Sequence, residues 1–123
     1  MAAPNLIGAT TIIGKTTGVN LTTTNATLAL NNAASSGKCL KVNTLNVANY
    51  GATAANITIT YYTAANIGGT AFAIAGNVSV PGGSTLNVID KSSQYYLEEN
   101  ASLGATAGAI NTLVVTVSYE DIS

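Results

Sequence analysis

Along the whole chain, apolar residues come in runs only a few residues long, often alternating with polar ones and cut by Gly, Asn, Pro or Ser at spacings of about ten residues. No segment keeps the 3.6-residue period of an amphipathic helix. Leu113, Val115, Val117 and Tyr119 share one parity while Val114, Thr116, Ser118 and Glu120 share the other, the pattern of a half-buried strand. Ile57, Ile59 and Tyr61 stand in the same relation to Thr58, Thr60 and Tyr62. Further strands are expected over 6–15, 26–30, 70–74 and 95–98, with a weaker one at 103–106. Between Leu40 and Tyr50 the apolar parity switches from Leu40 and Val42 to Leu45 and Val47, which fits one strand with a bulge near Thr44 or, alternatively, two short strands.

Two turns are expected to close hairpins. Asn49-Tyr50-Gly51 leads into the Ile57 strand, and Pro81-Gly82-Gly83-Ser84 separates Val78–Val80 from Leu86–Val88. Gly14-Lys15-Thr16-Thr17-Gly18 reads as a turn, and 64–70 and 104–110 read as loops. About eight short strands in 123 residues predict a single all-β domain: an antiparallel β-sandwich or jelly-roll-like barrel, with residues 1–8 as an N-terminal arm.

Composition then limits the chemistry. The chain has no His, Arg or Trp and one cysteine, and its charge resides in Lys15, Lys38, Lys41, Lys91, Asp90, Glu98, Glu99, Glu120 and Asp121. Zinc sites of the Cys/His type are excluded, as is a nucleophile activated by a His base. Glu98, Glu99, Asn100, Glu120 and Asp121 could offer oxygen ligands to calcium, but the EF-hand spacing is missing. Gly14-Lys15-Thr16 resembles the end of a phosphate-binding loop, yet Gly8 precedes Gly14 by one residue too many. The reading is of a non-enzyme with no cofactor and no metal.

Four scattered lysines give no footprint for nucleic acid, and no apolar run reaches the roughly 18 residues of a membrane-spanning helix. The opening Met1-Ala2-Ala3-Pro4-Asn5-Leu6-Ile7 lacks the basic and apolar regions of an export signal, so use without export is expected. Cys39, in Lys38-Cys39-Leu40-Lys41-Val42, reads as a small buried hydrophobe. A nearly uncharged Thr/Asn/Ser/Gly surface suits side-by-side association, because little charge must be desolvated.

Contact residues are sought among the tyrosines and the charged strand ends. In Tyr61-Tyr62 and Tyr95-Tyr96 one ring of each pair should enter the core and the other should face outward, either to contact a partner or to shield a sheet edge. Glu98-Glu99 and Glu120-Asp121 mark either solvent-facing strand ends or partners for lysines of a neighbouring subunit. The candidate interface therefore comprises Tyr50, Tyr62, Tyr95, Tyr96, Glu98, Glu99, Lys91, Glu120 and Asp121.

Taken in order, Val78-Ser79-Val80-Pro81-Gly82-Gly83-Ser84-Thr85-Leu86, Tyr96-Leu97-Glu98-Glu99 and Val115-Thr116-Val117-Ser118-Tyr119-Glu120-Asp121-Ile122-Ser123 resemble small virion structural proteins of tailed bacteriophages, of the cyanophage type. Ala3-Pro4-Asn5-Leu6-Ile7 and Asn32-Ala33-Ala34-Ser35-Ser36-Gly37-Lys38 extend the resemblance over most of the chain. It implies a β-rich accessory protein of the particle. The expected role is a capsid decoration (cement) protein bound to the major capsid protein or other virion proteins, assembled in the host cytoplasm as a homo-oligomer, a trimer by preference. A neck or tail component, or a glycan-binding host-attachment module, is the alternative. Thr22/Thr24 and Thr58/Thr60 are too short and isolated to form an ice-binding face.

Overall fold

The computed structural model describes residues 6–123. After a 3₁₀ turn at Leu6–Gly8 come nine strands: β1 (Ile12–Asn20), β2 (Thr27–Asn32), β3 (Cys39–Asn49), β4 (Ala55–Ala64), β5 (Gly68–Val80), β6 (Thr85–Ile89), β7 (Tyr95–Leu97), β8 (Ala101–Ala107) and β9 (Leu113–Ile122). They form two antiparallel sheets packed as a sandwich. One has the order β1-β9-β3-β6, with β7 pairing the other end of β3, and the second has the order β2-β8-β4-β5.

The side-chain alternation places the core between the sheets. Leu113, Val115 and Val117 of β9 face Ile57 and Ile59 of β4 and Leu103 of β8, all of them essentially solvent-free, and Tyr119 packs on the rim of this cluster. β3 carries the expected bulge: its register against β9 shifts between Val42 and Thr44, so Val42, Leu45 and Val47 all point inward and are fully buried. Residues 1–5 of the expected arm lie outside the described residues, while Leu6–Gly8 is the 3₁₀ turn.

Several expectations are corrected. β3 and β4 do not pair; the chain at Asn49–Gly51 crosses from one sheet to the other, and so does the turn at Pro81–Ser84, which joins β5 to β6. The second turn has the expected chemistry, with Ser84 N–H donating to Pro81 C=O at 3.1 Å and Gly83 at φ 75°, but its strands separate into different layers. The reason is Asn49. Its buried amide donates to Thr53 C=O and Val80 C=O, both at 2.9 Å, and accepts from Gly51 N–H, so one side chain ties both crossovers together.

The hairpin that does form joins β4 to β5 through 65–67, where Asn66 and Ile67 both have positive φ, as in the mirror-image turns that suit strand twist. An isoleucine there is strained. The strain is held by three side chains: Asn100 Oδ1, Asn31 Oδ1 and Ser102 Oγ accept from the N–H groups of Ala65, Asn66 and Ile67 in turn. Gly14–Gly18 is not a turn but part of β1, held flat by its pairing with 116–120 of β9. Of the expected loop at 104–110, residues 104–107 belong to β8, in line with the weaker strand expected over 103–106, because the small residues of β8 let neighbours close over both its faces. A Cβ on Gly104 would sit 2.7 Å from the Tyr62 ring.

Candidate functional site

In a sandwich of two open sheets, the flanks where edge strands lie opposite one another are the places where the core can meet solvent. Here each flank holds a cleft, and the two differ in chemistry.

On the β1/β2 flank, Lys15 of β1, Lys38, and Asp121 of β9 converge in a cleft of about 230 Å³ whose other walls include Asn31, Asn32, Ser36, Leu40 and Tyr119. Register brings them together: Lys15 pairs with Tyr119, and Leu40 pairs with Asp121, so the inward side of three adjacent strands ends in this cluster. Both ammonium groups reach the same carboxylate oxygen, Lys15 Nζ at 3.0 Å and Lys38 Nζ at 3.2 Å from Asp121 Oδ2. The Asp121 side chain is 7% exposed, whereas those of Lys15 and Lys38 are 42% and 44% exposed. Burial pushes the Asp121 carboxyl upward, but hydrogen bonds and charge from the two lysines outweigh it and hold the group below its ordinary value. The Lys15 ammonium is correspondingly raised, mainly by its hydrogen bond to Asp121.

Beneath this cluster lies Asn32, 2% exposed. Its amide nitrogen donates to Lys38 C=O and Leu97 C=O, both at 2.9 Å, and its oxygen accepts from Ser36 Oγ. The cleft floor is thus a saturated network.

On the β5/β7 flank, Tyr61, Phe72, Ala73, Ile74, Tyr95 and Tyr96 line a cleft of about 330 Å³ with no charged wall. Phe72 is opposite Tyr61 in the β4–β5 register, and their rings stack with centroids 6.3 Å apart. Tyr95 is opposite Val42 and Tyr96 opposite Lys41 on β3. The expectation that one ring of this pair enters the core is corrected: Tyr95 is 40% and Tyr96 50% exposed, because β7 is three residues long and only Leu97 reaches the sealed interior. Phe72 is 55% exposed.

The structure gathers two of the nine expected contact residues, Tyr95 and Tyr96, into the aromatic cleft and one, Asp121, into the ionic one. Tyr50 stands exposed at the β3–β4 crossover. Tyr62 is half-buried on the outer face of its sheet, its ring lying over Gly104. Glu98 is exposed, and Glu99 is half-buried with its Oε2 accepting from Gly37 N–H. Glu120 lies 3.7 Å from Lys41. Lys91 is exposed in the loop where Asp90 accepts hydrogen bonds from Ser92 and Ser93, bonds that lower the Asp90 carboxyl, those from Ser92 first. Asp121 does not mark a solvent-facing strand end: it is buried, and its lysines come from its own chain. Phe72, Lys15 and Lys38 were not expected at either site. Phe72 is the chain's one phenylalanine, a signal that sequence inspection could have weighed.

Cys39 is buried, and burial first, then the Glu98 charge, pushes its thiol up, as for a small core residue. Among the described residues no group of three or more His, Cys, Asp or Glu side chains is placed to hold a metal. No helix among them is long and apolar enough to cross a membrane.

No protein-family model matches the chain, and no curated protein does. A solved structure of infectious bursal disease virus, Gx strain, is similar over 90% of this chain and 41% of its own, at 10% identity and a TM-score of 0.28. The chain thus spans about two-fifths of that chain's length, and at this TM-score the likeness bears on neither fold nor function.

Proposed function

We propose that this chain is a non-catalytic structural protein of a virus particle, acting as a decoration protein that stabilises a bacteriophage head by surface contact. The aromatic cleft carries the reading. Large rings held at a sheet flank, uncharged and half-exposed, offer low-entropy contact area to a folded partner. The resemblance of 78–86, 96–99 and 115–123 to small phage virion proteins supplies the partner class: the major capsid protein or other virion proteins. Location in the virion and assembly as a homo-oligomer, a trimer by preference, follow from the same reading, since decoration proteins add interface around symmetry axes.

The test is to mix the full chain with undecorated phage heads and follow their thermal disruption. The expected result is a rise in disruption temperature that saturates with added protein and is lost in a Phe72→Ser/Tyr96→Ser double variant. No shift with any head, combined with saturable binding to neutral glycans in an array, would replace the decoration role with host attachment.

A further inference from the structure

We propose that the Lys15–Lys38–Asp121 cleft is a binding site for a small oxyanion, a carboxylate carried by a hydroxylated molecule of about monosaccharide size. The inference stands apart from the virion reading and draws on the other flank.

Charge comes first. The side chains that line the cleft include two ammonium groups and a single carboxylate, so the lining is positive by one charge. Of the other nearby acids neither lines the cleft: Glu120 pairs with Lys41, and Glu99 accepts from the Gly37 backbone N–H. Donor capacity comes second. Each ammonium carries three N–H donors and gives one to Asp121 Oδ2, so the remainder face the cleft or solvent. Both side chains are more than two-fifths exposed, so an incoming anion meets them without first breaking the Asp121 pairs.

Shape narrows the ligand. At about 230 Å³ the cleft falls below the roughly 300–1,000 Å³ typical of drug-sized ligands, so it suits one small ring or a compact acid. With Asn31 Oδ1 taken by Asn66 N–H and Ser36 Oγ bonded to Asn32 and Lys38 N–H, the walls set Tyr119 and the two lysines against the apolar side of Leu40, a mixture that matches a sugar ring's hydroxyl edge and C–H face. The buried Asn32 network below keeps the Lys38 backbone in place, so the site exists before any ligand arrives.

The experiment is an NMR titration of the full chain with sodium galacturonate, galactose, sodium acetate and inorganic phosphate, at constant pH and with ionic strength held by chloride so that simple screening cancels. Saturable shifts at Lys15, Ser36, Lys38 and Tyr119 with galacturonate, and none with galactose, are expected. Acetate as tight as galacturonate would assign the site to the bare carboxylate, and phosphate tighter than both would assign it to a free inorganic anion; either keeps the oxyanion site and removes the sugar. Lys38→Gln should weaken galacturonate at least tenfold, while Lys38→Arg and Lys91→Gln should retain it, which separates lost charge from lost structure. Absence of saturable shifts with every anion, or equal shifts in Lys38→Gln, overturns the proposal.

Discussion

The two flanks of the sandwich close in opposite ways. The β1/β2 flank is lined by ions whose partners all come from the same chain: Asp121 between Lys15 and Lys38, over an asparagine with every polar atom satisfied. The β5/β7 flank has nothing comparable, and its inward-facing rings stay half in water. The edge strand there is also broken. Gly76 and Asn77 together oppose Thr58, Asn77 takes φ 51°, and its N–H turns aside to Thr58 Oγ1 at 2.9 Å. Such bulges twist an edge out of reach of a second strand. At the bulge the proposed partner would meet side chains and not a free backbone ladder.

This contrast makes the ionic flank structural and the aromatic flank expendable to folding. The largest effect is expected at Asn32. Asn32→Ala leaves Lys38 C=O and Leu97 C=O without their buried donor, and each orphaned group costs about 1–3 kcal/mol. A loss of about 2–4 kcal/mol in urea unfolding is expected, with an unchanged slope. A loss below about 1 kcal/mol would show that water or a relaxed backbone replaces the amide, and the floor of the ionic cleft would not be rigid.

Asp121→Asn should cost less, about 1–2 kcal/mol, since the carboxylate is buried but its lysines are largely hydrated. The pH dependence sharpens the point. Asp121 titrates below its ordinary value of 3.8 in the folded chain, so its contribution is complete above that pH and fades as pH falls through the lower folded value. Lys15 is raised, so its part persists up to its ordinary value of 10.5 and is lost only at still higher pH. The stability gap between the native chain and Asp121→Asn should thus be level from neutral pH to about pH 4 and shrink in stronger acid, as read from denaturant midpoints across pH. A gap that ignores acid would place the loss in packing and not in charge.

How much of this was legible beforehand follows from range. Inward parity along β9 and β4, and the bulge in β3, depend on neighbours within a few residues, and the sequence pattern carried them. Pairing partners did not follow. Pro81 and Gly83 encode a reversal, but whether the two strands then share a sheet is decided by Asn49, and one asparagine among many gives no local sign that it is buried. Gly14–Gly18 looked like a turn because its extended form is imposed by β9, almost a hundred residues away in sequence. The true hairpin hid for the same reason: nothing in Asn66-Ile67 suggests a left-handed isoleucine until Asn31, Asn100 and Ser102 are brought to it. The aromatic cleft was half visible, in Tyr95 and Tyr96, whereas Lys15 and Lys38 become a pair only through strand register.

On the aromatic flank the expected effects on stability are the smallest, and they separate folding from binding. Phe72→Ala removes the ring stacked on Tyr61, an interaction of about 0.5–1.5 kcal/mol, from a side chain already more than half exposed. Tyr96→Ser removes a ring that faces solvent opposite Lys41, and a change within about 0.5 kcal/mol is expected. Measured together by urea unfolding and by head stabilisation, the two variants should fold almost normally yet each lose much of the protective effect. If Tyr96→Ser instead lowered stability as much as Asp121→Asn, its ring would belong to the core, and the contrast between an ionic and an aromatic flank would fail. If both variants folded and protected heads fully, the contact surface would lie elsewhere, with Tyr50 at the β3–β4 crossover the next residue to replace.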